Sequence, residues 1–163
     1  MKKAIIFIPF WLMTWAAAAQ TGFNYINFSA GRAYPQGSAF TLNYETVSRY
    51  HNTWEFGVEY YSEMLEASDS ISTGWRKHKS WLFGPVYKPM LVRSKNVSLR
   101  LPLGLRAGTN GTRFILAPQA GLELCHAFTR ELEIILGQKT QYVFYDSRPW
   151  RFGLYVGLRI PIN

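Results

Sequence analysis

Trp150-Arg151-Phe152-Gly153-Leu154-Tyr155-Val156-Gly157-Leu158-Arg159-Ile160-Pro161-Ile162 alternates without a break. Trp150, Phe152, Leu154, Val156, Leu158, Ile160 and Ile162 fall in one phase. Arg151, Gly153, Tyr155, Gly157, Arg159 and Pro161 fall in the other. Successive side chains of a strand point to opposite faces, so one face here is wholly apolar and the other small or charged. Soluble sheets alternate too, so the pattern does not choose the solvent by itself. The start of the chain supplies the second clue.

Met1 to Ala19 reads as a secretory signal peptide. Lys2 and Lys3 form its positive end, Ala4 to Trp15 is apolar apart from Thr14, and Ala17-Ala18-Ala19 is a small-residue cleavage pattern. The apolar run is shorter than the roughly 20 residues of a membrane-spanning helix, so cleavage near Ala19/Gln20 is expected rather than a retained anchor. Residues 20–163 then form one domain. An exported chain closing on such a strand points to a barrel with lipid outside and a packed, charged lumen inside. The formal charge is +8. The basic residues are scattered, with small groups at Arg76-Lys77-His78-Lys79 and Arg93 to Lys95, which suits lipid headgroups better than a nucleic-acid track. Cys125 is the single cysteine, so no internal disulfide forms, and it is read as packing rather than as a nucleophile. Closing a barrel is another source of stability, because it pairs every strand edge.

Eight strand-like segments can be counted: Phe23 to Ala30, Ala39 to Val47, Thr53 to Met64, Ser80 to Leu91, Val97 to Ala107, Arg113 to Ala127, one starting near Leu132, and the closing strand. Pro85 and Pro89 make the fourth irregular, with a bulge or an early end expected. The seventh is expected to lose phase around Lys139 to Gln141. Four connections, Gly31 to Ser38, Ser62 to Lys79, Gly108 to Thr112 and Asp146 to Pro149, fall at one end of the barrel. Three others, Arg49 to Asn52, Val92 to Asn96 and Phe128 to Glu131, fall at the end that carries the termini. In outer-membrane barrels the longer loops lie outside, and Ser62 to Lys79 is the longest connection here. Trp54, Tyr60, Trp81, Tyr87, Tyr142, Phe144, Tyr145, Trp150 and Phe152 lie near strand ends, where interfacial girdles form.

The polar faces carry Glu55, Glu59, Arg100, Arg106, Glu123, Glu133, Arg151 and Arg159. Eight strands enclose only enough room for side chains, so these acids and bases are expected to pair as a plug. The alternatives are an ion pore or an acid–base catalytic pair. Catalytic signals are weak. His51, His78 and His126 are far apart and none has metal-ligand spacing. There is no serine-nucleophile elbow and no phosphate-cradling glycine loop. No cofactor and no metal are expected.

From Asn52 onward the chain resembles the TraO family of conjugative-transposon transfer proteins. The segments that carry the resemblance are Trp54-Glu55-Phe56-Gly57-Val58-Glu59-Tyr60-Tyr61, Val86-Tyr87-Lys88-Pro89-Met90-Leu91 and Leu103-Gly104-Leu105-Arg106-Ala107-Gly108. Ala120-Gly121-Leu122-Glu123-Leu124, Phe152-Gly153-Leu154 and Gly157-Leu158-Arg159-Ile160-Pro161-Ile162-Asn163 follow in the same order. The resemblance implies an exported outer-membrane part of a DNA-transfer apparatus, with no enzymatic residues to carry over.

The expectation is therefore an all-β chain, an eight-stranded antiparallel up-and-down transmembrane β-barrel after a signal peptide, located in the cell outer membrane. Its leading function is that of a non-enzymatic conjugation component. The alternatives are a general small OmpX-like barrel of porin or adhesion type, and a soluble lipocalin-like carrier with its apolar faces inward. Expected partners are outer-membrane lipid and other conjugation proteins, without direct nucleic-acid binding. Loops on a rigid scaffold usually carry contacts, so Glu63, Glu66, Asp69, Arg76, Lys77 and Lys79 of the long connection are candidate contact residues.

Overall fold

A computed structural model describes residues 23–34, 37–48, 51–66, 75–129, 132–146 and 149–162, with backbone only at 64–66 and 75–77. The signal segment lies outside the described residues. Ten strand segments follow in chain order: β1 (Asn24–Tyr34), β2 (Gly37–Val47), β3 (Thr53–Glu66), β4 (Trp75–Lys88), β5 (Met90–Arg93), β6 (Val97–Arg100), β7 (Leu103–Thr109), β8 (Phe114–Ala127), β9 (Glu133–Tyr142) and β10 (Trp150–Ile162). Every pairing is antiparallel, and β1 pairs with β10 from Asn24↔Ile162 to Tyr34↔Phe152, which closes the sheet on itself. The segments make eight staves, because β4 with β5 and β6 with β7 each form one broken strand.

The two breaks have one cause. Proline has no N–H to give to a ladder. Pro89 separates β4 from β5 and Pro102 falls between β6 and β7, on neighbouring staves. The ladder is kept by carbonyls instead: Leu101 N–H donates to Pro89 O at 3.0 Å and Gly121 N–H to Pro102 O at 3.0 Å. Pro85 lies within β4 opposite Phe56, where the β3–β4 ladder runs on, but the β4–β7 ladder skips Gly84 and Pro85 between Phe83↔Ala107 and Val86↔Gly104. The gap at Pro102 splits a segment expected to be continuous.

Outward and inward faces separate along the whole of β10. Its outward residues Trp150, Phe152, Leu154, Val156, Leu158, Ile160 and Ile162 are 39–64% exposed, whereas Arg151 and Arg159 are 3% and 1% exposed. Phe40, Leu42, Leu103, Leu105, Leu122, Leu124 and Leu136 continue the apolar exterior around the barrel. The apolar faces thus point out, which corrects the lipocalin-like alternative. Thirteen residues at about 3.4 Å each, tilted by about 40°, span roughly 30 Å along the barrel axis. Aromatic pairs flank this band. Trp54 and Tyr87 pack with ring centroids 4.8 Å apart toward the end with the termini. Tyr60–Trp81 at 4.7 Å and Tyr142–Trp150 at 4.9 Å lie toward the other end.

The seventh stave does not lose phase, which corrects that expectation. β9 pairs with β10 in one register through Tyr142, so Lys139 and Gln141 face inward while Gln138 and Thr140 face outward. Gln138 Nε2 donates to Thr140 Oγ1 at 2.8 Å, satisfying two outward polar groups locally.

Candidate functional site

The interior is a set of interlocked ion pairs. Its centre is Lys88, the last residue of β4. Glu45 and Glu55 are directly opposed on β2 and β3, and opposed like charges repel across a ladder. Lys88 removes the conflict: its Nζ lies 2.8 Å from Glu45, 2.6 Å from Glu55 and 2.7 Å from Glu123. Tyr155 Oη also donates to Glu123, at 3.0 Å. A methyl group on Gly137 would overlap the Tyr155 ring, so the small residue makes room for the large one across the β9–β10 ladder.

Toward the loop end, Arg106 donates to Glu55 at 2.7 Å and to Glu59 at 3.1 Å. Glu59 also holds Lys139 at 2.9 Å and Gln141 Nε2 at 2.9 Å. Arg151 then caps the stack, donating to Ser80 Oγ at 3.0 Å and Asp146 at 2.6 Å, with its guanidinium 3.8 Å from the Tyr61 ring centroid. His78 Nε2 lies 3.2 Å from Asp146. Leu82, Ile115, Ala117 and Val143 fill the same end with a small apolar cluster, each 1% exposed or less. Toward the termini, Arg159 holds Glu45 and Glu133 at 2.6 Å each and covers the Tyr25 ring at 3.6 Å.

Moving an ion into a low-dielectric interior costs several kcal/mol even after relaxation, so only well-paired charges persist there. Glu45, Glu55, Glu59 and Glu123 each have a cation within 3.1 Å. A cavity of about 40 Å³ remains between Arg106, Lys139 and Tyr155, room for a few waters. The arrangement holds charge in place. Ser80 Oγ accepts from Arg151, and the buried Cys125 Sγ lies 3.5 Å from Glu123, a carboxylate that already accepts from Lys88 and Tyr155. Among the described residues no three His, Cys, Asp or Glu side chains could hold a metal ion.

The structure places Glu55, Glu59, Arg100, Arg106, Glu123, Glu133, Arg151 and Arg159 all on the inner face. It adds Glu45, Lys88, Lys139 and Gln141, which the sequence reading did not single out. Glu45 was legible: it lies in antiphase to Leu42 and Tyr44. The long connection is different from the expectation. Hairpin pairing continues from Ser62↔Lys79 to Glu66↔Trp75, leaving only 67–74 between the strands. Glu63 is therefore no loop contact residue: it is 2% exposed and accepts from Tyr61 Oη at 3.0 Å. Lys79 is exposed on β4, Glu66, Arg76 and Lys77 belong to the ladder, and Asp69 lies outside the described residues.

No family model and no curated protein matches the chain. Solved structures do. A major outer membrane protein from Thermus thermophilus superposes with a TM-score of 0.60 at 12% identity, over 87% of this chain and 100% of that one. Neisserial surface protein A gives 0.52 at 14% identity, over 86% and 96%. Ail, the attachment invasion locus protein of Yersinia pestis, gives 0.52 at 12% identity, over 86% and 96%. At such identities the likeness is one of fold: the chain has the closed eight-stranded barrel of small outer-membrane proteins.

Proposed function

We propose that this chain is a small, non-enzymatic outer-membrane barrel of the OmpX kind, seated in lipid and closed by its own side chains. The inside-out distribution on β10 carries the reading: seven apolar side chains face outward, with Arg151 and Arg159 buried between them. So large a continuous apolar exterior belongs against lipid or another apolar surface, not in water. The aromatic pairs at both margins of the band suit headgroup level. The termini face the periplasm in this reading, after export on the 1–19 signal, and the opposite strand ends, at Glu66, Trp75 and the 110–113 connection, face outward. The barrel acts as a scaffold that presents those ends. Separation of inner and outer membranes tests it. The protein should appear in the outer fraction, require detergent and migrate faster unheated than boiled on gels. Recovery as a soluble monomer would contradict it.

A narrower role rests on the sequence resemblance alone: a structural part of a conjugative DNA-transfer apparatus, touching other transfer proteins through its outer connections. The structural neighbours support the general barrel rather than this role. Deleting the gene in a donor strain should lower transfer frequency and leave growth unchanged. Replacing 67–74 with a short turn should keep the folded gel mobility while lowering transfer. Unchanged transfer on deletion would remove the conjugation role and leave the general one standing.

A further inference from the structure

The outer wall of the barrel carries positive charge without its counterpart. Every acid whose side chain is described turns inward: five glutamates are buried in the lumen, Glu133 is bonded to Arg159 and Asp146 to Arg151. The described cations outside the lumen are Arg32, Lys79, Arg93, Lys95 and Arg113, all exposed. Among the described residues, no carboxylate on the exterior neutralises them.

Two of these cations end one continuous row. Lys79 on β4 pairs with Ser62 on β3, Ser62 with Ser38 on β2, and Ser38 with Arg32 on β1. All four share the outward phase of Trp81, Tyr60, Phe40 and Ala30, which form the next row toward the middle of the band. Directly opposed side chains stand about 5 Å apart, so the row is continuous. It crosses three strand spacings, roughly 14 Å, which suits an extended headgroup better than a single ion. An ammonium, two hydroxyls and a guanidinium offer donors along its whole length, and none of the four has a protein partner among the described residues. The row also sits at the aromatic margin. Trp81 and Tyr60 pack with ring centroids 4.7 Å apart beside Lys79 and Ser62, and Tyr34, 74% exposed, follows Arg32 on the same face. Such aromatics lie at headgroup level, where Lys and Arg lay their stems on apolar surface and send their charge into the polar layer. Lys as a point charge and Arg as a fork both suit phosphate oxygens.

We propose that Arg32, Ser38, Ser62 and Lys79 form a docking strip on the outer wall for the phosphorylated headgroup of an outer-leaflet lipid. Its acyl chains lie along the apolar row below, over Ala30, Phe40, Tyr60 and Trp81. The inference rests on the outer-membrane reading above. Native mass spectrometry of the refolded barrel in a phosphate-free detergent, titrated with bisphosphorylated lipid A, tests it. Binding should saturate. Each charge near an anionic surface contributes about fivefold, so Arg32→Gln or Lys79→Gln should weaken binding about fivefold and the double variant about 25-fold. Arg93→Gln/Lys95→Gln removes the same charge at the β5–β6 connection and should leave binding unchanged. Dephosphorylated lipid A should bind the unaltered protein at least as weakly as lipid A binds the double variant, which keeps the test if that variant misfolds. Inorganic phosphate at matched ionic strength should not displace the lipid. Equal binding of the two lipids, an equal loss in the Arg93/Lys95 pair, or displacement by free phosphate would overturn the proposal. A heat-modifiable barrel with any of those results fails this inference alone. A chain that stays soluble without detergent fails the membrane reading and this inference with it.

Discussion

Lys88→Met removes the cation that three carboxylates share. Two oxygens about 2.7 Å from one nitrogen, at a tetrahedral angle, are roughly 4.4 Å apart, and at an effective dielectric of about 20 they repel by roughly 4 kcal/mol. Glu45, Glu55 and Glu123 would make three such pairs, but Arg159 and Arg106 still hold two of them and water can enter the vacated space. The measured cost of breaking a buried ion pair, about 3–5 kcal/mol, is therefore the better figure. It corresponds to a fall of about two to three and a half powers of ten in the folded-to-unfolded ratio. Urea titration in lipid vesicles, followed by tryptophan fluorescence and by unheated gel mobility, reads it directly. Glu123→Gln added to Lys88→Met should recover part of the loss, since one of the repelling charges is gone. A loss below about 1 kcal/mol, the size of a solvent-exposed pair, would show a water-filled lumen and refute the plug.

Val156→Arg places a charge at the middle of the exposed β10 face and should cost roughly 2–4 kcal/mol of folding into bilayers. Leu103→Arg, paired beside Tyr87 of the margin, should cost less, and the reverse order would contradict the depth assignment. Planar bilayers containing the protein should show no steady conductance; a stable channel altered by changing Arg106 or Glu123 would contradict the closed interior. Asp146 lies in the connection between β9 and β10. Burial raises its carboxyl, but Arg151 and His78 outweigh that and hold it below the usual value. With the folded value the lower one, this contact stabilises fully above about pH 4 and is lost as pH falls through the folded value. Asp146→Asn should accordingly flatten the acid-side fall in unfolding midpoint, and an unchanged profile would refute the contribution.

The barrel was legible wherever a strand carries one apolar and one polar face. In β10, β7 and β8 the outward phase is apolar almost throughout, so Arg106, Glu123, Arg151 and Arg159 could be assigned inward from period alone. Lys88 was hidden because β4 buries Leu82 and Val86 while exposing Trp81 and Phe83, so both faces look apolar and fix no phase. Lys139 and Gln141 were hidden for the opposite reason. Outward Gln138 and Thr140 satisfy one another, and two polar faces side by side erase the alternation. The reach of the β3–β4 hairpin was missed because Glu63, Glu66, Arg76 and Lys77 read as solvated loop. Composition cannot show that Glu63 turns inward to Tyr61. The shared cation at Lys88 is a product of side chains from distant staves meeting, which no local pattern encodes.

Orientation toward lipid is the claim on which everything else stands. Single cysteines at Leu122→Cys and Val156→Cys, in a Cys125→Ala background, can carry a fluorophore and be read in vesicles with acyl-chain-brominated lipids. Leu122 and Val156 are 47% and 56% exposed on the outer face, while native Cys125 is 2% exposed on the inner one. Both outer probes should be strongly quenched and should resist a water-soluble maleimide in intact outer membranes. The native Cys125 should stay unreactive until the barrel unfolds. Ready labelling of positions 122 and 156 from water, or access to Cys125 in the folded protein, would contradict the apolar exterior and the sealed interior together.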